Sequence, residues 1–410
     1  MKIGSNSIII SGVKCRICNS TKLSEVLDLG LQPWCNNYLL KYQIGKELFY
    51  PLILVFCNNC STAQLNYTVS KDIMFGNHTY LSGITRSLSE HFRKIAIDVN
   101  KNFFLKKKKK NILDIGSNDG TQLKHFKNLG FEILGVESSK LTAKIANDNG
   151  IKTLNKFFNE QIAKEINKKF NIINASGVFF HLEELHSVCR GIKYLLKNEG
   201  VFIVQFLYIK NIINNVAFDQ IYHEHLLYYS LKTLQFLLDA YDIEIFDAYE
   251  QEIHGGTMVA YCGHKNNHNK SKRLYDLFDE ENKSGCNTID RYKIFKKDVK
   301  KLRRNILNYI DNKLSKNKII YGMGAPVKSN TIINYCKITK KMIPFLVEKN
   351  ELRDGLYSPG AHIPIILEKN LKKIPDSYFV FAWNFKNEIL KNNKELIKKG
   401  VDFFFPINPK

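Results

Sequence analysis

The segment NILDIGSNDGTQLKHF, residues 111–126, decides the fold of this chain. Its apolar start predicts a β-strand over residues 112–115, its glycines predict a turn, and the residues after the turn predict an amphipathic helix. The next segment, FEILGVESS at residues 131–139, predicts a second strand that ends at Glu137. Apolar segments at residues 170–176 and 200–206 continue the alternation of strand and helix. The pattern therefore predicts an α/β domain with a doubly wound parallel sheet.

Glycines and polar residues lie where these strands give way to helices. In a doubly wound sheet, ligands bind at the carboxyl ends of strands, and glycine lets the backbone approach them closely. The turn DIGSNDG fits neither the GxGxxG of nicotinamide sites nor the GxxxxGK[ST] of phosphate loops. It resembles the first motif of class I methyltransferases, which use S-adenosylmethionine. A purely structural turn would not require a strand, turn, helix, strand and acidic residue in this order.

The class I resemblance implies specific cofactor contacts. Residues 116–118 would line the methionine part of S-adenosylmethionine, and Glu137 would bind its ribose hydroxyls. Asp114 and Asp119 would lie on the ammonium side of the cofactor. The full set of cofactor-binding residues expected is Asp114, Gly116, Ser117, Asn118, Asp119, Glu137, Ser138 and Asn174.

Composition limits the classes of protein to which the chain can belong. Its 410 residues, 44% of them hydrophobic, can bury the cores of two or three domains. No apolar run is long enough to cross a bilayer and the start, MKIGSNSIIISG, lacks the features of a signal peptide, so we expect a cytoplasmic protein. The formal net charge of +22 allows nucleic acid, an anionic membrane or an acidic small substrate as partner. Because the lysines are scattered with Asn and Ile, solvated surfaces explain much of this charge, which also suits a diphosphate.

Two CxxC motifs predict a metal site near the start of the chain. The motifs are CRIC at residues 15–18 and CNNC at residues 57–60, and the nine cysteines are too unevenly spread for a disulfide framework. Four thiolates with this spacing suit tetrahedral zinc, and they leave no open position for a substrate. We therefore expect Cys15, Cys18, Cys57 and Cys60 to hold a structural Zn²⁺ in a small domain; the alternative is four unrelated buried thiols.

The segment FDQIYHEHLLYYS, residues 218–230, concentrates side chains that can move protons. In an extended conformation, Tyr222 and Glu224 would share one face while His223 and His225 share the other. One face could then carry a base and the other its orienting groups. Histidines and tyrosines can equally be satisfied core residues.

The last part of the chain restarts the alternation. A charged helical region over residues 270–317 is followed by IIYGMG, a helix from about 326 to 336, IPFLVEKN, SYFVFAW, a helix over 387–399, and DFFFP. These elements predict a second, Rossmann-like α/β domain. Together the patterns predict a zinc-binding domain over residues 1–75, a methyltransferase core over 76–268 and a C-terminal α/β domain over 269–410.

Taken in order, the CxxC pairs, DIGSNDGTQL, VFFHLEEL at 178–185, IYHEHLLYYS and YGMGAPVKSNTIINYC at 321–336 resemble the sugar C-methyltransferase family. Members of that family act on nucleotide-linked 4-keto-deoxysugars, and their C-terminal domain helps to hold the nucleotide sugar. The resemblance implies His225 as the general base with active-site neighbours Glu224, Tyr222, His181 and Tyr80. It also implies that the turn at GAPVKSNT contacts the substrate, through backbone N–H groups, helix dipole and a lysine, with Gly324, Lys328, Asn330 and Thr331.

We therefore expect C-methylation, at C3 of the sugar, by enolate formation and in-line methyl transfer. The expected partner is a nucleotide-diphosphate sugar, with no nucleic acid, no membrane and a monomeric chain. Three alternatives remain open: methylation of a sugar oxygen, a zinc-ribbon RNA methyltransferase or RNA-binding protein, and a sugar-nucleotide binder that has lost catalysis.

Overall fold

The computed structural model describes residues 2–3, 13–76, 81–84, 86–105, 107 and 109–407. These residues form three sheets in chain order. None of the helices among them is both long and apolar enough to cross a membrane.

The first sheet contains strands β1 (Lys2–Ile3), β2 (Leu23–Pro33), β3 (Leu48–Cys57) and β4 (Ala63–Leu65), followed by helix α1 (Lys71–Phe75). The long strands β2 and β3 are antiparallel, and Leu23 lies opposite Cys57. This pairing brings the CxxC turn before β2 to the CxxC turn at the end of β3. A strand from later in the chain, Leu227–Tyr228, adds to this sheet beside β4.

The central sheet follows helix α2 (Arg86–Val99), which continues into a wider helical turn at Asn100–Phe104. The elements that follow along the chain, up to the last strand of this sheet, are β5 (Asn111–Ile115), α3 (Thr121–Asn128), β6 (Glu132–Glu137), α4 (Lys140–Asp148), β7 (Thr153–Asn155), α5 (Glu160–Ile166), β8 (Phe170–Ser176), α6 (Leu185–Leu195), β9 (Leu196–Leu207), α7 (Ile209–Asn214), β10 (Leu227–Tyr228), α8 (Leu231–Asp239), β11 (Ile243–Gln251) and β12 (Thr257–His264). Among these strands, β10 belongs to the first sheet and the others to the central sheet.

The strand order of the central sheet is β11-β12-β9-β8-β5-β6-β7. Every strand runs in the same direction except β12, which is antiparallel to both β9 and β11. The parallel strands are buried on both faces, as their near-continuous apolar sequences require. The order reverses between β5 and its neighbours, so a ligand cleft is expected at the carboxyl end of β5.

The C-terminal part begins with two helices, α9 (Lys272–Ser284) and α10 (Ile289–Ser315). The elements that follow are β13 (Ile320–Met323), α11 (Ser329–Tyr335), β14 (Leu346–Glu348), β15 (Ile365–Leu367), β16 (Ser377–Val380), α12 (Lys386–Asn392), α13 (Lys394–Lys398) and β17 (Asp402–Phe404). Their sheet is parallel throughout, in the order β15-β14-β13-β16-β17.

Two helix predictions in this part need correction. The helix expected from about residue 326 begins at Ser329, because residues 324–328 form the turn after β13. The single helix expected over 387–399 is two helices, since the backbone of Asn393 leaves the helical conformation (φ −115°, ψ 24°). Strand β15 was not predicted.

Candidate active site

The turn after β5 brings the predicted cofactor residues together at the carboxyl edge of the central sheet. Asp114 pairs in register with Gly135 of β6 on one side and with Asn174 of β8 on the other. At the end of β6, the Glu137 carboxylate accepts backbone N–H groups from Asn118 (2.8 Å) and Ser139 (2.8 Å). The acidic residue thus lies directly beside the turn.

The carboxyl groups around this turn differ in their surroundings. Burial raises the pKa of Asp114 to about 7, although the Asn174 side-chain amide donates a hydrogen bond of 2.6 Å to it. Burial also raises the pKa of Glu137. Asp119 accepts the N–H of Gly83 (2.8 Å), and Ser138 donates to Glu137 (3.4 Å).

The turn has the shape and polarity that S-adenosylmethionine requires. Gly116 has φ +70°, and a Cβ on it would lie 2.7 Å from Val178, so only glycine lets these two segments approach. The hydroxyl of Ser117 is buried without a hydrogen-bond partner, which leaves a polar group for a ligand. With Glu137 at the end of β6, these residues fit the cofactor.

Val178 begins the segment that connects this turn to the histidines. The next residues form a short 3-10 turn, Phe179–His181. The ring of His181 lies 5.2 Å from that of His225, and the ring of Phe180 lies 4.8 Å from it, centroid to centroid. Four consecutive residues therefore link the cofactor turn to His225.

The prediction that residues 222–225 are extended is wrong. The N–H of His225 donates to the carbonyl of Tyr222 (2.9 Å), which closes a turn. Because the chain reverses, Tyr222 and His225 lie on the same side with ring centroids 3.8 Å apart. His223 and Glu224 instead contact the first sheet: His223 donates to Pro51 (3.2 Å), and Glu224 accepts the indole N–H of Trp34 (2.7 Å).

His225 is buried and held as one tautomer. Its Nδ1–H donates to the carbonyl of Gln220 (2.7 Å), so Nε2 is the nitrogen that can accept a proton. Burial, together with nearby His181, holds the pKa of His225 well below its usual range. His181 is oriented in a similar way, since its Nδ1–H donates to the backbone carbonyl of Glu224.

Burial also changes the acidity of the two groups that flank His225. It raises the pKa of Glu224 to about 7, although the hydrogen bond from Trp34 alone would lower that pKa. It raises the pKa of Tyr222 well above its usual range, so this phenol remains a hydrogen-bond donor at neutral pH.

The predicted substrate residues of the C-terminal domain contact the same segment. The Lys328 ammonium lies 3.6 Å from the Asp219 carboxylate and 3.7 Å from the centre of the Trp383 ring. The indole N–H of Trp383 donates to that carboxylate (2.6 Å). Burial lowers the pKa of Lys328 to about 8. The cation expected at the substrate-binding turn is therefore buried between two domains.

Asn330 and Thr331 join domains as well. Both are fully buried; Asn330 donates to the carbonyl of Cys35 (2.6 Å) and Thr331 donates to that of Ile221 (3.1 Å). Gly324 has φ +80° in the turn after β13. The substrate roles of these residues stay predictions, and Tyr80 lies outside the described residues.

Sequence reasoning missed Trp34, Trp383 and Gln220. The two tryptophans are the only ones in the chain, and each donates to a buried carboxylate of residues 219–224. That rarity was an available signal. The role of Gln220 depends on its backbone carbonyl, for which the sequence holds no signal.

The four predicted metal ligands meet in one cluster. The sulfurs of Cys15 and Cys60 are 3.4 Å apart, those of Cys18 and Cys57 are 3.5 Å apart, and all four lie within 4.8 Å of one another. Zn–S bonds of about 2.3 Å in a tetrahedron place sulfurs roughly 3.8 Å apart, so the cluster fits zinc. Within the Cys15–Cys60 pair, the hydrogen bond from Cys15 lowers the pKa of the Cys60 thiol.

Three family models match consecutive parts of the chain. Residues 15–75 match the "Putative zinc binding domain", residues 88–247 the "Methyltransferase domain" and residues 252–408 the "C-methyltransferase C-terminal domain". The resemblance, the fold class and the two cofactors expected from the sequence are thereby confirmed.

Similar proteins were also found. The C-methyltransferase NovU of Streptomyces niveus is 28% identical over 400 residues, which cover 96% of this chain and 95% of NovU. Among solved structures, the PH0226 protein from Pyrococcus horikoshii OT3 is 16% identical and covers 46% of this chain and 95% of its own, with a TM-score of 0.35. The plantazolicin methyltransferase BpumL in complex with SAH is 17% identical and covers 44% and 90%, with a TM-score of 0.34.

Replacing one cysteine of the cluster should release the metal. We expect Cys57→Ser to lower the zinc content, measured by elemental analysis, and to lower the melting temperature, because structural zinc contributes directly to folding. Cys189→Ala is the matched control, since this buried thiol lies outside the cluster and should retain stoichiometric zinc. Full zinc content in Cys57→Ser would contradict the four-cysteine site.

Glu224 should make stability fall as pH rises. Between pH 4.5 and about 7 the unfolded carboxyl ionises while the folded one keeps its proton, so the free energy of unfolding of the wild type decreases. Glu224→Gln removes this loss. Between pH 4.5 and 7 its free energy of unfolding should therefore rise by about 3 kcal/mol relative to that of wild type. Urea unfolding of both proteins at intervals from pH 4.5 to 8 measures the difference; a constant difference would mean that the Glu224 pKa is not raised.

Proposed function

The chain is an S-adenosylmethionine-dependent methyltransferase that carries the zinc-binding and C-terminal domains of C-methyltransferases, and from this premise we propose that it methylates C3 of a nucleotide-linked 4-keto-deoxysugar. The observation that carries the proposal is the connection between cofactor turn and base. Val178 packs on Gly116, and three residues later His181 contacts His225. This connection supports a proton acceptor at His225 within a few side chains of the turn that would hold the methyl donor.

C-methylation next to a ketone needs a base that is neutral in the resting enzyme. A proton adjacent to a carbonyl is acidic because the enolate carries its charge on oxygen. With Nδ1 bonded to Gln220 and a pKa held well below its usual range, His225 presents an unprotonated Nε2 at neutral pH. Removal of the C3 proton is its proposed role.

The enolate oxygen needs a hydrogen-bond donor. Tyr222 stays protonated and its ring contacts that of His225, so its hydroxyl can donate to the developing oxyanion. His181 and Glu224 would orient the base and the sugar, and Tyr80 would complete the site as the family resemblance implies. The roles of Tyr222 and His181 are supported by their ring contacts with His225, and those of Glu224 and Tyr80 by the family resemblance.

S-adenosylmethionine, held by the turn at residues 114–119 and by Glu137, would supply the electrophilic methyl group that the enolate carbon accepts. The segment 178–181 keeps the two reactants in neighbouring positions and so replaces a bimolecular encounter. The four cysteines leave zinc no open position, so its part is structural.

The nucleotide part of the substrate is proposed to lie toward the C-terminal domain. Lys328 brings a cation to the junction of the central and C-terminal sheets, near Asp219 and Trp383. A cation at this place suits a diphosphate, and the net charge of +22 favours the approach of an anionic ligand. A small, anionic sugar nucleotide is therefore the proposed partner.

Isotopic labelling tests the reaction. A panel of nucleotide-linked 4-keto-6-deoxysugars, incubated with the protein and methyl-deuterated S-adenosylmethionine, should yield a product whose fragmentation places the label on carbon. Label on oxygen would establish a sugar O-methyltransferase instead. No label with any sugar would overturn the proposed substrate.

His225→Asn should lower turnover by a factor of about 10² to 10⁴, the usual contribution of a general base, with S-adenosylmethionine affinity unchanged by calorimetry. A second readout omits the methyl donor: in D₂O, wild type should exchange the proton next to the ketone and His225→Asn should not.

His223→Asn is the matched control, because this histidine of the same turn faces Pro51 and Tyr50 in the first sheet. It should retain exchange and methylation. Full activity in His225→Asn would remove this residue from the role of base.

A further inference from the structure

The loop between β11 and β12 has an unusual backbone. His254, Gly255 and Gly256 all have positive φ angles, of +56°, +86° and +116°. Glycine adopts such angles freely, but histidine does so at a cost in conformational energy. The loop follows the end of β11, which runs parallel to β5, so it lies at the same edge of the sheet as the cofactor turn.

Neighbouring residues hold the loop in this conformation. A Cβ on Gly255 would lie 2.4 Å from the ring of Trp383, so the loop backbone packs directly against the indole. The side-chain amide of Gln220 donates to the carbonyl of His254 (2.7 Å), and the backbone carbonyl of Gln220 accepts from His225 (2.7 Å). One residue therefore fixes His254 relative to the proposed base.

His254 is an exposed residue, although neighbouring residues partly desolvate it. Burial lowers the pKa of His254 to about 4, with further contributions from Lys328 and His91. His254 in turn contributes to the low pKa of His225. The imidazole is thus neutral at physiological pH and close enough to interact electrostatically with both His225 and Lys328.

We propose that His254 contacts the sugar nucleotide, as a neutral hydrogen-bonding group between the sugar at His225 and the diphosphate on the side of Lys328. This inference rests on the proposed function. A ligand that extends from the base toward the C-terminal domain would pass this loop, because Gln220 holds the loop beside His225 and Gly255 packs it against Trp383, next to Lys328. A neutral imidazole can both donate and accept there, and the unfavourable backbone conformation is maintained because it aims the ring at the ligand.

The experiment compares His254→Gly and His254→Asn with wild type, using a thymidine-diphosphate-linked 4-keto-6-deoxyglucose as the probe. Glycine relieves the left-handed strain, so His254→Gly should melt at a higher temperature. The same variant should bind the probe about tenfold or more weakly and show a correspondingly higher KM, with S-adenosylmethionine affinity unchanged. Asparagine tolerates the left-handed region and keeps a hydrogen-bonding group, so His254→Asn should lose less affinity.

Lys337→Gly is the matched control for strain. Lys337 is exposed just after α11 and has φ +56°, like His254. This variant should also melt at a higher temperature, but with probe affinity and turnover unchanged.

Two outcomes would overturn the inference, and they are distinguishable. If wild type binds and methylates the probe and His254→Gly does so equally well, His254 serves only the backbone of the loop. If wild type neither binds nor methylates any sugar nucleotide of the panel, the proposed function fails and this inference fails with it. A rise in melting temperature together with a loss of probe affinity would support a ligand contact, because a purely structural role predicts no loss of affinity.

Discussion

Two buried carboxylates, Asp219 and Glu224, constrain how the three sheets meet. Each accepts an indole N–H from a different domain, Asp219 from Trp383 and Glu224 from Trp34. Burial raises the pKa of both carboxyl groups, and an unpaired carboxylate in this environment would be strongly disfavoured. The two indole N–H groups can reach these carboxylates only if the N-terminal and C-terminal domains pack at opposite ends of residues 219–224. The geometry around His225 therefore depends on the position of both neighbouring domains.

Local patterns predicted most of the fold, because periodicity and spacing are local properties. The strands around the turn at residues 114–120, the acidic residue at the end of β6 and the four-cysteine cluster follow from sequence that is close together or regularly spaced. The conformation of residues 222–225 did not follow. We expected an extended segment whose side chains alternate between two faces. The bonds that fix the turn include those from His223 to Pro51 and from Trp34 to Glu224, which are distant in sequence.

Lys328 shows the same limit for electrostatics. In the sequence it is a lysine at a strand-to-helix turn, which suits a phosphate contact. In the structure, Asp219 and Trp383 come from segments far from it in the chain, and together they make a buried site for the cation. The attraction of Asp219 partly offsets the desolvation that lowers the Lys328 pKa to about 8. A motif can predict that a lysine has a function, but the groups that its charge contacts depend on tertiary packing.

The four-cysteine cluster is connected to the segment around His225 through the first sheet. The segment on both sides of His225 runs along that sheet: His223 donates to the carbonyl of Pro51 in β3, and Leu227 and Tyr228 pair with β4. Both strands end at the cysteines, since Cys57 is the last residue of β3 and Cys60 lies in the turn before β4. Without the metal, four thiols would have to share one buried site, and burial already raises the pKa of Cys57. The cysteine cluster therefore lies at the ends of the strands against which the segment around His225 packs, so a zinc ion held there would stabilise the position of that segment from outside it.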